Sequence, residues 1–161
     1  LIDFSKICTV RWKNGKVILI DQRALPHRLS TLECKDYREV VEAIRNMAVR
    51  GAPAIGVAAA MGIALAAYNS KRRGKRELLR AVNSAAKSLK LTRPTGSNLF
   101  WAIDRMLKKV REPNRTAEEI SAALLEEARN IVEEDFQANL CIGEIGAALL
   151  EDGDVVLTHC N

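Results

Sequence analysis

Ala52-Pro53-Ala54-Ile55-Gly56-Val57-Ala58-Ala59-Ala60-Met61-Gly62-Ile63-Ala64-Leu65-Ala66-Ala67 is the longest apolar run in the chain, sixteen residues rich in alanine and glycine. It falls short of the roughly 20 residues that a membrane-spanning helix needs. A buried core helix fits it better, and Pro53 suits a first helical turn, where its missing N–H has no partner to lose. Gly56, Ala58, Ala59, Ala60 and Gly62 are small enough to let neighbouring backbones come close. The fold is therefore expected to be organised around this segment.

Helical spacing continues on both sides. Upstream, Val40, Val41, Ile44, Met47 and Ala48 recur on one face after Asp36, a suitable N-cap, and Val49-Arg50-Gly51 ends that helix. Downstream, a third helix is expected over Arg76 to Leu89. Leu91 to Gly96 is a loop, because Pro94 pushes Arg93 into an extended conformation. A fourth helix spans Ser97 to Val110. A fifth starts at Thr116, with Glu119 at capping-box spacing. Its pattern passes Ile131, Val132 and Phe136, and a bend or break is expected between Asn139 and Gly143. The last helical stretch ends near Leu150, before a turn at Glu151-Asp152-Gly153-Asp154.

Strand signals flank the helices. Cys8 to Trp12, Asn14-Gly15 and Lys16 to Asp21 form a hairpin pattern, with Asn-Gly supplying both positive φ angles of a type I′ turn. Leu29 to Cys34 is a candidate third strand, enough for a small sheet. Val155-Val156-Leu157 has the pattern of a short buried strand. The expected organisation is a small sheet over 1–35, a helical unit over 36–153, and an opening strand of an α/β domain over 154–161.

Composition narrows the function. The chain has 161 residues, 48% of them apolar and 4% aromatic, with a net charge of +5. That balance suits an anionic ligand. The basic run Lys71-Arg72-Arg73-Gly74-Lys75-Arg76 has no interleaved aromatics for base stacking, so a solvated loop is preferred to a nucleic-acid patch. Nothing reads as a signal peptide, and no membrane partner is expected. Cys8, Cys34, Cys141 and Cys160 form no C-x-x-C pair, and His27 and His159 lie far apart, so no metal site is expected. Scattered cysteines suggest a reducing, cytoplasmic setting. Cys8, Cys34 and Cys141 read most simply as small buried hydrophobes.

Three segments can carry chemistry. In Val49-Arg50-Gly51-Ala52-Pro53-Ala54-Ile55-Gly56, a guanidinium precedes a helix start with free backbone N–H groups, a good phosphate cradle. A tight helix-to-helix turn with Arg50 on the surface explains the same pattern equally well. Arg93-Pro94-Thr95-Gly96-Ser97-Asn98 offers a cation and several hydroxyl or amide groups, although pattern alone favours a capped loop. In Thr158-His159-Cys160-Asn161, strand alternation points His159 and Cys160 to opposite faces, so His159 is no base for Cys160. A buried Cys160 would stay protonated, as a proton donor or as an inert core residue.

Arg50-Gly51-Ala52-Pro53-Ala54-Ile55-Gly56, Arg93-Pro94-Thr95, Asn98-Leu99-Phe100-Trp101-Ala102 and Thr158-His159-Cys160-Asn161 together resemble the methylthioribose-1-phosphate isomerases of methionine salvage. Trp12-Lys13-Asn14-Gly15 and Asp21-Gln22-Arg23-Ala24-Leu25-Pro26 fit the same pattern, while Gly96 and Ser97 depart from it. The same superfamily includes regulatory subunits of translation initiation factor 2B and a ribose-1,5-bisphosphate isomerase. The resemblance implies an α+β N-terminal unit, a small antiparallel sheet plus a helical domain, leading into the first strand of a Rossmann-like α/β domain. It implies a homodimer that converts 5-methylthioribose 1-phosphate to 5-methylthioribulose 1-phosphate; no cofactor is expected. It assigns substrate binding to Arg50, Gly51, Ala52 and Arg93, and catalysis to Cys160 with an Asp beyond residue 161.

Overall fold

The computed structural model describes residues 8–112 and 115–159. Strands β1 (Val10–Lys13), β2 (Lys16–Ile20) and β3 (Thr31–Cys34) form an antiparallel sheet in the order β1-β2-β3. Five helices follow: α1 (Tyr37–Arg45), α2 (Ala52–Ser70), α3 (Lys75–Lys90), α4 (Ser97–Val110) and α5 (Ala117–Ala147). Short 3₁₀ turns cover Gln22–Ala24 and Lys71–Arg73.

The hairpin forms as expected. Asn14 and Gly15 take φ values of 50° and 74°, and Lys13 pairs with Lys16 across the turn. A Cβ on Gly15 would meet the Tyr68 ring at 2.7 Å. The same ring stands edge-on to Trp12 at 5.4 Å, which ties the hairpin to the C-terminal end of α2.

The apolar run at 52–67 becomes the central helix. Ile55 to Ala67 are buried without interruption, and α2 touches α1, α3, α4, α5 and the first two strands. A helix apolar on all sides needs such complete enclosure. With the turn that follows, Ala52–Arg73 is long and apolar enough to cross a membrane, but 72% of its most apolar window is buried within the protein. That is the environment of a core helix. Fully buried Ile63 and Leu65 anchor it, and truncating either to Ala would cost about 2–5 kcal/mol. Contact is closest to α4, where a Cβ on Gly56 would lie 3.1 Å from the Asn98 carbonyl oxygen.

Caps fix the helix ends. Asp36 and Thr116 each form a complete capping box, with Glu39 and Glu119 reaching back to the chain. Each such cap contributes about 1 kcal/mol.

Several expectations are corrected. Helix α1 stops at Arg45, and Met47 follows it at φ 61°, exposed rather than on the helical face. The third strand begins at Thr31. Helix α5 runs unbroken through 139–143 and ends at Ala147. Residues 155–157 form no strand, and Val155 and Leu157 are almost fully exposed. Among the described residues no neighbouring strand offers that segment hydrogen bonds, so its β pattern has nothing to pair with. Cys34 is buried, but Cys8 and Cys141 are exposed. The basic run forms a 3₁₀ turn and the start of α3, with Lys71 over the Tyr68 ring at 4.0 Å.

Candidate functional site

Gly51 sits at a bend that only glycine accommodates readily. Its φ of 90° and ψ of 129° turn the chain from α1 into α2, and it serves as the N-cap of α2 without a capping side chain. The preceding residues are braced from the sheet side. The Gln22 backbone N–H donates to the Ala48 carbonyl at 3.0 Å, and Gln22 Nε2 donates to the Arg50 carbonyl at 3.1 Å. The first N–H groups of α2 therefore lie at a fixed place with no intrahelical acceptor.

Helix α4 begins the same way. Gly96 is its N-cap, again without a side-chain cap, and its N–H donates to the Arg93 carbonyl at 3.1 Å. The loop carrying Arg93 is pinned at its start, where Thr92 donates from both N–H and Oγ1 to the Leu89 carbonyl, at 3.0 and 2.6 Å.

The two helix starts open on one cleft of about 240 Å³. Gly51, Ala52 and Ile55 line it from α2, and Arg93 with Thr95 to Leu99 lines it from the loop and α4. Two uncapped helix starts, Arg93, Thr95 and Ser97 thus line a common space. This combination suits an anion with several acceptor oxygens, such as a phosphate.

Arg50 is exposed and does not line the cleft; its carbonyl accepts from Gln22 Nε2. Cys160 lies outside the described residues. Cys34 is no substitute nucleophile, because burial, and secondarily Glu39, pushes its thiol up to about 11. Among the described residues no group of three or more His, Cys, Asp or Glu side chains is placed to hold a metal ion.

A second hollow, of about 370 Å³, adjoins the first across Ser97 and Asn98, which line both. Pro53, Val57, Trp101 and Ile131 give it apolar walls, and Glu134 and Asp135 stand at one side. Glu134 is held by Arg105, whose Nη2 donates to Glu134 Oε1 at 2.7 Å and whose Nε donates to Glu127 at 2.5 Å. The guanidinium keeps the Glu134 carboxyl below the usual glutamate range, and it also lies over the Trp101 ring at 5.4 Å. Sequence reasoning missed this hollow. The seven-residue spacing of Glu127 and Glu134 on one helix face was its faint signal.

The pattern of the Initiation factor 2 subunit family (IF-2B) matches residues 48–161. The chain belongs to this family. Within the family, it is 47% identical over 155 residues to a methylthioribose-1-phosphate isomerase of Geobacter metallireducens, covering 95% of the chain and 44% of that protein. It superimposes on a crystal structure of 5-methylthioribose 1-phosphate isomerase from Pyrococcus horikoshii OT3 with a TM-score of 0.84 at 44% identity, over 92% of this chain and 42% of that one. It also matches the crystal structure of translation initiation factor eIF-2B, subunit delta, from A. fulgidus, with a TM-score of 0.87 at 44% identity, over 97% of this chain and 45% of that one. The three-stranded sheet and five helices thus correspond to part of an IF-2B-like protein. The chain spans less than half the length of the curated relatives it matches.

Proposed function

We propose that the whole protein, of which this chain forms the N-terminal part, is an aldose–ketose isomerase. Its substrate is 5-methylthioribose 1-phosphate and its product 5-methylthioribulose 1-phosphate, as the names of the relatives suggest. The carrying observation is the meeting of Gly51, Ala52 and Arg93 in one cleft at two uncapped helix starts. In this reading the C1 phosphate sits there. Arg93 pairs with its oxygens, Gly51 and Ala52 let it approach the backbone, and Arg50 reaches in from the rim when substrate is bound.

A phosphate on the anomeric carbon blocks ordinary ring opening to a free aldehyde. Isomerisation then needs an acid at the ring oxygen and a route for hydrogen between C1 and C2. We assign one of these roles to Cys160 and the other to an Asp beyond residue 161, in a pocket closed by a Rossmann-like domain that follows. The protein would work in the cytoplasm as a homodimer, without a cofactor and without nucleic-acid or membrane partners.

The test is an assay of the whole protein with 5-methylthioribose 1-phosphate and with ribose 1,5-bisphosphate. Turnover of the first, with Cys160→Ala lowering kcat at least about 10²-fold, is expected for a lost acid or base. Near-normal turnover in Cys160→Ala would remove that residue from the mechanism, and unchanged affinity in both Arg50→Ala and Arg93→Ala would return those residues to the surface. A second reading, a non-catalytic regulatory subunit, is favoured by the likeness to the A. fulgidus protein. Sugar-phosphate binding without turnover by the whole protein would select it.

A further inference from the structure

We infer that the apolar hollow between α2, α4 and α5 receives the uncharged end of the sugar phosphate and selects against a second phosphate there. The inference rests on the isomerase reading above and concerns how the same site chooses its substrate.

The two hollows are neighbours, with Ser97 and Asn98 in the wall of both. In this inference a ligand anchored by phosphate at Gly51 and Arg93 extends past these two residues toward Pro53, Val57 and Trp101. The chemistry changes along that path. The first hollow offers a guanidinium, hydroxyls and backbone donors. The second offers the Trp101 ring, Val57 and Ile131, with no cation in its lining.

Charge sharpens the distinction. Arg105, the nearby cation, is already bonded to Glu127 and Glu134. Asp135, beside Glu134, accepts at Oδ1 from the neutral Asn139 amide at 3.3 Å. A second phosphate would lose its hydration, face a carboxylate and gain no cation. A methylthio group, uncharged and polarizable, would lose little hydration and contact an aromatic ring, a favourable sulfur environment. Trp101 is 52% exposed with this hollow empty, so it has surface left for a ligand to cover.

The experiment measures kcat/KM of the whole protein on three substrates: 5-methylthioribose 1-phosphate, ribose 1-phosphate and ribose 1,5-bisphosphate. Small changes in an apolar pocket alter discrimination by about 10–200-fold. Trp101→Ala is expected to lower the preference for methylthio over hydroxyl about tenfold, and Trp101→Phe to restore most of it. Asp135→Lys is expected to raise the relative kcat/KM for the bisphosphate by a similar factor. If Trp101→Ala does not fold, Trp101→Phe and Asp135→Lys carry the test through the same ratios. Wild-type turnover of the methylthio substrate, with these ratios unchanged within twofold in the variants, would overturn the inference while leaving the isomerase reading intact. A wild-type protein that turns over none of the three would refute the isomerase reading and this inference with it.

Discussion

Replacing Gly51 tests whether the bend into α2 is as restrictive as its angles imply. At φ 90° and ψ 129°, Gly51 lies outside the left-handed helical region that Asn and Asp tolerate, which centres near φ of about +57° and ψ of about +47°. A Cβ there would meet no atom within 4 Å, so the cost of Gly51→Ala is backbone strain rather than a clash. Strain of this kind is of order 1–3 kcal/mol per residue. For a chain of this length each kcal/mol moves Tm by roughly 2–4 °C, giving an expected fall of about 2–12 °C. Gly51→Asn should cost about as much as Gly51→Ala, because Asn rescues only the left-handed helical region. Gly143→Ala is the control of opposite sign. Gly143 sits inside α5 with nothing near its missing Cβ, and Ala is favoured over Gly in a helix by about 1 kcal/mol. Thermal unfolding followed by circular dichroism reads all three. A Gly51→Asn protein as stable as wild type, or Gly51→Ala and Gly143→Ala shifting Tm in the same direction, would refute the reasoning.

Glu134 should make stability sensitive to acid. Its folded-state pKa lies below the ordinary 4.5 because Arg105 holds the ionised form. The stabilisation is therefore full above the unfolded value and lost as pH falls through the folded one. Glu134→Gln should flatten the decline of Tm below about pH 4.5, by a modest amount because Glu134 is over half exposed. Cys34 should resist thiol reagents at pH 8, being buried with its pKa near 11, while Cys8 and Cys141 react fast; in Cys160→Ser, two rapid equivalents and a third on denaturation are expected. Two rapid equivalents should also be seen before any unfolding is detectable by circular dichroism. Finally, the 161-residue chain alone should bind inorganic phosphate by isothermal titration but not turn over 5-methylthioribose 1-phosphate; turnover by that chain would show that catalysis needs nothing beyond it.

Most of the architecture was legible because it rests on local chemistry. Asn14-Gly15 has few alternatives to a tight hairpin, Asp36 and Thr116 announce helix starts, and the Ala-rich run can be stable only if enclosed. The failures have physical causes as well. The bend or break expected between Asn139 and Gly143 does not occur: a glycine inside a helix costs only about 1 kcal/mol, and α5 absorbs that. The Asn139 side chain also stays compatible with the helix by donating to the Asp135 carbonyl at 2.8 Å. Val155 to Leu157 have a strand pattern, but strand formation depends on a partner, which three residues cannot specify. The convergence of Gly51 with Arg93 depends on how α2 packs on α4, a non-local event. Its trace in the sequence is Gly56, whose missing side chain allows the Asn98 carbonyl to approach.

The cleft also constrains where the chemistry must come from. Among the described residues, its lining of Gly51, Ala52, Ile55, Arg93 and the stretch Thr95 to Leu99 contains no carboxylate, imidazole or thiol. Arginine stays protonated throughout the physiological range, and serine and threonine hydroxyls titrate far above it. Such a site can hold an anion and orient it, but it cannot take up or release a proton near neutrality. Glu134, in the wall of the adjoining hollow, is displaced in the wrong direction for an acid, since Arg105 favours its ionised form. In the proposed isomerase, the proton-transfer groups would therefore come to this cleft from other parts of the protein. Cys160 and an Asp beyond residue 161 are the assignment proposed above. In that proposal the separation would have a chemical advantage: the anion anchor would stay rigid on two helix ends, while the acid and base could be exposed to water before substrate binds and desolvated afterwards.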